Sequence, residues 1–348
     1  MDLLPSTSSI DAFLEWADSL LFGLEKTRFR RLMKSTEPPC HALANITYAW
    51  GVRSLYAQSV MNNSVSTYVH ALIGHENQFL TKAISYMQDQ TKAQDHYTKM
   101  EYIQANILLG LHCFTFGNWP QIDHYVSSAV ALSTELRINL HPNQVPTYEI
   151  YDFTTQKEHS KLFWCLFELD CCNVAAVQGM SHFFGTKLQI SAPDPYNSIP
   201  GNGQTYTPDE FLQGSAAKFS SNFGKSLKIA YLTMWSEQLL KGQASFTTSH
   251  PDFHSVMAAA IQTQGSLEKL NEYPTEDKVS EVASTQIIAF ALFEHLHLYE
   301  YMIKTAVPRD QIARIRAWAL ENIAKIINTV GQSKLKYLKP HAAVSFQL

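Results

Sequence analysis

The chain has 348 residues, 45% of them hydrophobic and 17% charged, with a formal net charge of −4. That length and apolar content can enclose a large core, as one extended helical body or two packed halves. The acidic balance gives no general attraction to nucleic acid, and no apolar run reaches the ~20 residues that span a bilayer.

The opening MDLLPSTSS lacks the basic stretch and apolar core of a signal peptide. The five cysteines (Cys40, Cys113, Cys165, Cys171, Cys172) form no C-x-x-C pair, and several sit in apolar helical runs, as reduced intracellular thiols do. Ile10, Phe13, Leu14, Ala17, Leu20, Leu21 and Leu24 recur at intervals of three and four, predicting an N-terminal helix with one apolar stripe, capped by Ser8. Next comes KTRFRRLMK, the most basic stretch. Its Lys26, Arg28, Arg30, Arg31 and Lys34 suit a nuclear-localisation signal, a nucleic-acid contact or, more plainly, a solvated helix end.

Pro38-Pro39 marks a break, so residues 1–36 read as a separate N-terminal segment. Helical patterning resumes over 42–60 and 66–89, then around 99–115. Gly117 is expected to end that helix, and Asn118 to cap the next, which has Pro120 in its first turn. This second helix runs to about Ile138, with Asn139 as a left-handed stop before Pro142. Two helices joined by so short a turn form an antiparallel hairpin. A further helix occupies roughly 157–178. Residues 191–207 are rich in proline and glycine and read as a linker, separating 37–195 from a C-terminal helical part, 196–348, of the same domain. Helices fit 208–242, 251–271, 279–305 and 309–330. The expected fold is all-α, about ten helices packed as antiparallel hairpins.

Chemistry-bearing motifs are scarce. There is no phosphate-cradling P-loop, and Gly201-Asn202-Gly203 follows no strand. Gly179-Met180-Ser181-His182-Phe183 begins like a nucleophile elbow, but phenylalanine replaces the second glycine and a helix precedes it. A helix-ending turn is the better reading. Glu294, His295, His297 and Glu300 do not converge on one helical face as metal ligands would. His295 and Tyr299, polar-tipped groups on an apolar stripe, are the candidates for lining a ligand pocket. Asp170 stands on the apolar side of its helix with Phe163, Leu166, Phe167 and Val174, where a charge is costly unless bonded. It reads as a buried anchor that fixes neighbouring backbone or pairs with a base such as Arg137.

Certain elements recur in a fixed order: Leu108-Leu109, Gly117-Asn118-Trp119, the helix with Ala129 and Ala131, Asn139-Leu140-His141, Phe163-Trp164, Asp170 and Gly179. Over about residues 98–195 this order resembles the regulatory (middle homology) region of fungal zinc-cluster transcription factors. The signature residues are Trp119, Phe163, Trp164, Asp170 and Gly179. Asn139 stands where the family commonly has glycine, and Met180-Ser181 where it has arginine-proline.

The resemblance implies an all-α regulatory domain of a nuclear transcription regulator, with no enzymatic activity. Its implied partners are the transcription machinery or regulatory proteins, a small-molecule effector and a second copy of the chain as homodimer; no membrane is involved. The family's DNA-binding module uses six clustered cysteines, and five scattered ones cannot build it. This chain is therefore expected to hold no zinc cluster or other cofactor, and to reach DNA only through a module not present here. The alternative is an α-helical interaction scaffold with no transcriptional role.

Overall fold

A computed structural model describes residues 7–35, 39–61, 67–93, 95–138, 152–177, 180–183, 190–191, 205–206 and the single positions 227, 230, 310, 313 and 317. Among these residues the chain forms seven α-helices: α1 (Thr7–Trp16), α2 (Lys26–Leu32), α3 (His41–Met61), α4 (Thr67–Tyr86), α5 (His96–Thr115), α6 (Trp119–Glu135) and α7 (Phe153–Val177). Strand structure among them is one antiparallel bridge between β1 (Ile190–Ser191) and β2 (Thr205–Tyr206), pairing Ile190 with Tyr206. The all-α expectation agrees with this. The expected helices over 208–242, 251–271, 279–305 and 309–330 lie outside the described residues, apart from isolated helical positions such as Leu227 and Asp310.

The chain divides into two compact units, one of Met1–Leu169 with Ile199–Gly203, the other of Asp170–Ser198 with Gln204–Leu348. In the first, α3 packs against α4, α5 against α6, and α1 across α3, with α3 also touching α5. Helix α5 lies at the centre. Met100 and every residue from Tyr102 to Phe114 are buried, leaving the helix no solvent face over those turns. Asp95 caps its start, its carboxylate accepting from the Thr98 amide at 2.8 Å.

The α5–α6 connection follows from chain geometry. Gly117 adopts φ 69°, so the Asn118 amide can reach the Cys113 carbonyl and the Gly117 amide the Phe114 carbonyl. That left-handed stop turns the chain at once into α6, with Pro120 in the first turn. Asn118 occupies the cap position but its side chain makes no capping bond. At the far end of α6 the left-handed residue is Arg137, φ 55°, with the Ile138 amide on the Ser133 carbonyl. The stop therefore comes two residues before the expected Asn139, which lies outside the described residues. Helix α7 begins at Phe153, a turn earlier than expected.

The N-terminal stripe, expected as one helix capped by Ser8, instead folds back on itself: α1 already includes Ser8 and ends at Trp16, and Leu21 turns the chain with φ 53°. Phe13, Phe22 and Phe29 are all buried, with ring centroids 5.1 Å apart for the first two and 5.0 Å for the last two. Edge-on pairs of this kind add ~0.5–1.5 kcal/mol each beyond burial. The turn between α1 and α2 is pinned to α5 by one residue. Gln104 accepts from the Gly23 amide at 2.6 Å and donates to the Leu21 carbonyl at 3.2 Å. A neutral amide is well suited to this buried turn, since it satisfies a donor and an acceptor without bringing in a charge.

Backbone closeness dictates glycine at position 51 but not at position 74. A Cβ on Gly51 of α3 would stand 2.1 Å from the Ser9 carbonyl oxygen of α1, whereas one on Gly74 of α4 would meet nothing within 4 Å. Gly51→Ala is expected to lower stability by ~1–3 kcal/mol, because backbone must yield. Gly74→Ala is expected to raise it by ~0.5–1 kcal/mol by stiffening the unfolded chain. Urea midpoints of the two variants, moving in opposite directions, check both.

Candidate functional site

Three polar groupings lie within the apolar body. The first belongs to the signature helix. Asp170 is fully buried, and its carboxylate accepts from the Ser181 hydroxyl at 2.5 Å, the His182 amide at 3.1 Å and the His182 Nδ1 at 2.8 Å. The Phe183 amide in turn donates to the Ser181 hydroxyl oxygen at 3.1 Å. Asp170 thus holds the turn that follows its own helix, through Ser181 and His182 rather than a base such as Arg137. Ser181 and His182 both bond to the same carboxylate, so the serine proton is directed at Asp170 and not at the imidazole. A nucleophilic relay needs the imidazole between the other two groups. The geometry here is that of an anchor.

The remaining signature residues take simpler places. Phe163 and Trp164 are buried in α7, with ring centroids 5.4 Å apart, and Trp164 meets Phe167 edge-on at 5.6 Å. Trp119 opens α6 directly after the Gly117 turn. Gly179 lies outside the described residues, as do His295 and Tyr299.

The second grouping joins α2, α5 and α7. Glu158 of α7 is 3% exposed, accepts from the Glu25 amide at 2.8 Å and pairs with the Arg28 guanidinium at 2.6 Å. Arg28 also lies 4.5 Å over the Tyr97 ring, and Tyr97 shares a hydrogen bond of 3.0 Å with Thr155. Burial pushes Glu158 above the usual carboxylate range, although the Glu25 amide and Arg28 pull the other way. Glu101 behaves likewise: burial raises it against the Cys40 amide, which donates to it at 2.8 Å. Glu25 begins α2, accepting from the Thr27 and Arg28 amides. The basic stretch is therefore divided. Arg28 is drawn inward, Arg30 pairs with Asp11 at 2.9 Å, and Arg31 and Lys34 remain exposed.

The third grouping joins α3, α4 and α5. The buried Glu76 accepts from Arg53 at 3.0 Å and lies 3.3 Å from His112 Nε2. Arg53 also lies 4.3 Å over the Phe116 ring, and Trp50 meets His112 edge-on at 5.7 Å. The loss of hydration at Glu76 favours its neutral form. The His112 bond and the Arg53 charge outweigh that and hold it below the usual carboxylate range.

Among the described residues, no three His, Cys, Asp or Glu side chains are placed to hold a metal ion, and no helix is long and apolar enough to cross a membrane. None of the five cysteines forms a disulfide, and burial pushes Cys40 up to about 12 and Cys113 to about 11, so both stay protonated and poorly nucleophilic at neutral pH. The second and third groupings were missed in the sequence. Their members lie far apart along the chain, and the one sequence signal was acids inside apolar helical runs.

What emerges is a helical domain in which Glu158 and Glu76 join helices and Asp170 holds a turn. The chain belongs to the fungal specific transcription factor domain family, whose model matches residues 10–272. The match extends on both sides of the 98–195 stretch that carried the resemblance and takes in most of α1 and all of α2. No curated protein and no solved structure matches the chain.

Two outcomes follow from the anchors. Asp170→Asn exchanges an acceptor for a donor beside Ser181 and His182 and is expected to cost ~1–3 kcal/mol in urea unfolding; an unchanged midpoint would show that the anchor is dispensable. For Glu76 the folded value is depressed, so its stabilisation is present above the ordinary carboxylate value of 4.5 and is lost as pH falls through the folded one. Glu76→Gln is expected to lower stability at pH 7 and to flatten the acid side of the stability profile, measured by chemical denaturation at stepped pH.

Proposed function

We propose that this chain is the regulatory domain of a nuclear transcription regulator, acting by binding protein partners or a small-molecule effector and carrying out no catalysis of its own. The family match over residues 10–272 carries this reading. The polar geometry supports it: Asp170, Glu158 and Glu76, the central acid of each grouping, are each engaged by donors from their own protein. DNA contact is assigned to a module outside this chain, and no cofactor is assigned to it. Nuclear entry through the basic stretch would rest mainly on Arg31 and Lys34, because Arg28 is drawn inward and the exposed Arg30 is paired with Asp11.

The test is a tether. The chain is fused to an unrelated DNA-binding domain and placed at a reporter promoter in a fungal host. Reporter output is expected to change at least several-fold against the DNA-binding domain alone, in either direction. Output identical to that control, with the fusion shown to be folded and nuclear, would favour a scaffold with no transcriptional role.

A further inference from the structure

Beside the Arg28–Glu158 pair, the Nε2 atoms of His96 and His159 lie 2.5 Å apart, with ring centroids 4.7 Å apart. That gap and the two ring radii account for nearly all of the centroid separation, so the nitrogens meet head-on. One imidazole must then donate its proton to the bare nitrogen of the other, and two imidazoliums would aim proton at proton. His159 is 1% exposed, and His96 is the first residue of α5, at the positive end of that helix. Neither place favours a cation.

The same helical turns hold α2 to the body. Tyr97, next to His96, covers Arg28 and bonds to Thr155; Glu158, next to His159, binds the Glu25 amide and Arg28. We propose that the His96–His159 pair is a proton-operated catch. Proton uptake drives the first turn of α5 away from α7, and this releases α2 with its basic residues.

Among the described residues, every packed element contributes charges around the pair. On α5, Asp95 favours a charge on His96, Lys99 opposes one, and Glu101 lies near Arg28 and Glu158. On α7 and just before it stand Glu158 and Asp152; on α2 and just before it, Arg28 and Glu25. On α6, Glu135 pairs with Lys99 at 2.5 Å.

Burial, with His96 alongside, holds His159 down at about 3, and burial also lowers His96. Both folded values are depressed. The neutral pair therefore stabilises the closed form fully above the ordinary histidine value of 6.5, and that stabilisation is lost as pH falls. Glu158 and Glu101 have the opposite sign. Burial raises both, so their contribution is present below the ordinary value of 4.5 and is lost as pH rises through the folded values. Below 6.5 each proton that the histidines take up on opening shifts the equilibrium toward the open form, by up to about tenfold per pH unit.

Amide hydrogen exchange on the full chain between about pH 7.5 and 5.5, corrected for intrinsic exchange, tests the catch. Opening of the α2 amides is expected to grow about tenfold per unit below 6.5, while α3 and α6 keep their protection. The double variant His96→Gln, His159→Gln is expected to abolish that slope, and a slope that persists in it overturns the proposal. If the double variant loses helicity by circular dichroism, the unaltered chain decides. Acid loosening confined to α2 and the first turns of α5 and α7 supports the catch. Equal loosening of α3 and α6, or none in α2, overturns it.

Discussion

The buried Glu158 carboxylate sets a constraint on which much of the first unit depends. A charge at 3% exposure costs several kcal/mol unless every lone pair is engaged, and here the donors come from one short stretch, the Glu25 amide and the Arg28 guanidinium. That obligation brings α2 against α7, although 133 positions separate Glu25 from Glu158. It also fixes the turn before α2, where Gly23 passes so close to α7 that an added Cβ would stand 2.8 Å from the Leu162 Cα. Gln104 then secures the same turn from α5. Three helices thus converge on a few turn residues, and the phenylalanine knot of Phe13, Phe22 and Phe29 seals the outer side.

Much of this was legible in the sequence for local reasons. The stripe from Ile10 to Leu24, the Gly117 stop, Pro120 and the apolar run around Asp170 are each read within a few residues, where helical periodicity and turn chemistry act. The burial of Asp170 and its role as an anchor were legible in the same way, since a lone acid on an apolar stripe must find donors. Its partners were not. Ser181 and His182 become visible only when the chain turns after α7, and Arg137 is instead the residue that takes the left-handed stop of α6. Glu158, Glu76, Gln104 and the two facing histidines were illegible for a different reason. Each has its partner on another helix or, for Gln104, in a distant turn, and helical periodicity carries no information on which segments will meet.

The three polar groupings also differ in kind. Around Asp170 the donors are two neighbouring residues and their backbone, so the anchor shapes one turn. Around Glu76 a cation, an imidazole and the Phe116 ring tie α3, α4 and α5 side to side. Around Glu158 the tie runs from a core helix to a short helix at the edge of the unit.

The spans of these ties bear on the order in which the fold assembles. Ser181 lies eleven positions from Asp170, a loop that closes in ~10–100 ns. The helix stop around Asp170 can therefore form almost as soon as its own helix does. The tie between Glu25 and Glu158 has to wait for the chain between them to collapse, because long loops repay their closure entropy only when both ends are already near. A contact that joins late in this way is poorly represented in the folding transition state. Weakening it should leave the rate of folding nearly unchanged and act mainly on the rate at which the edge of the unit comes apart.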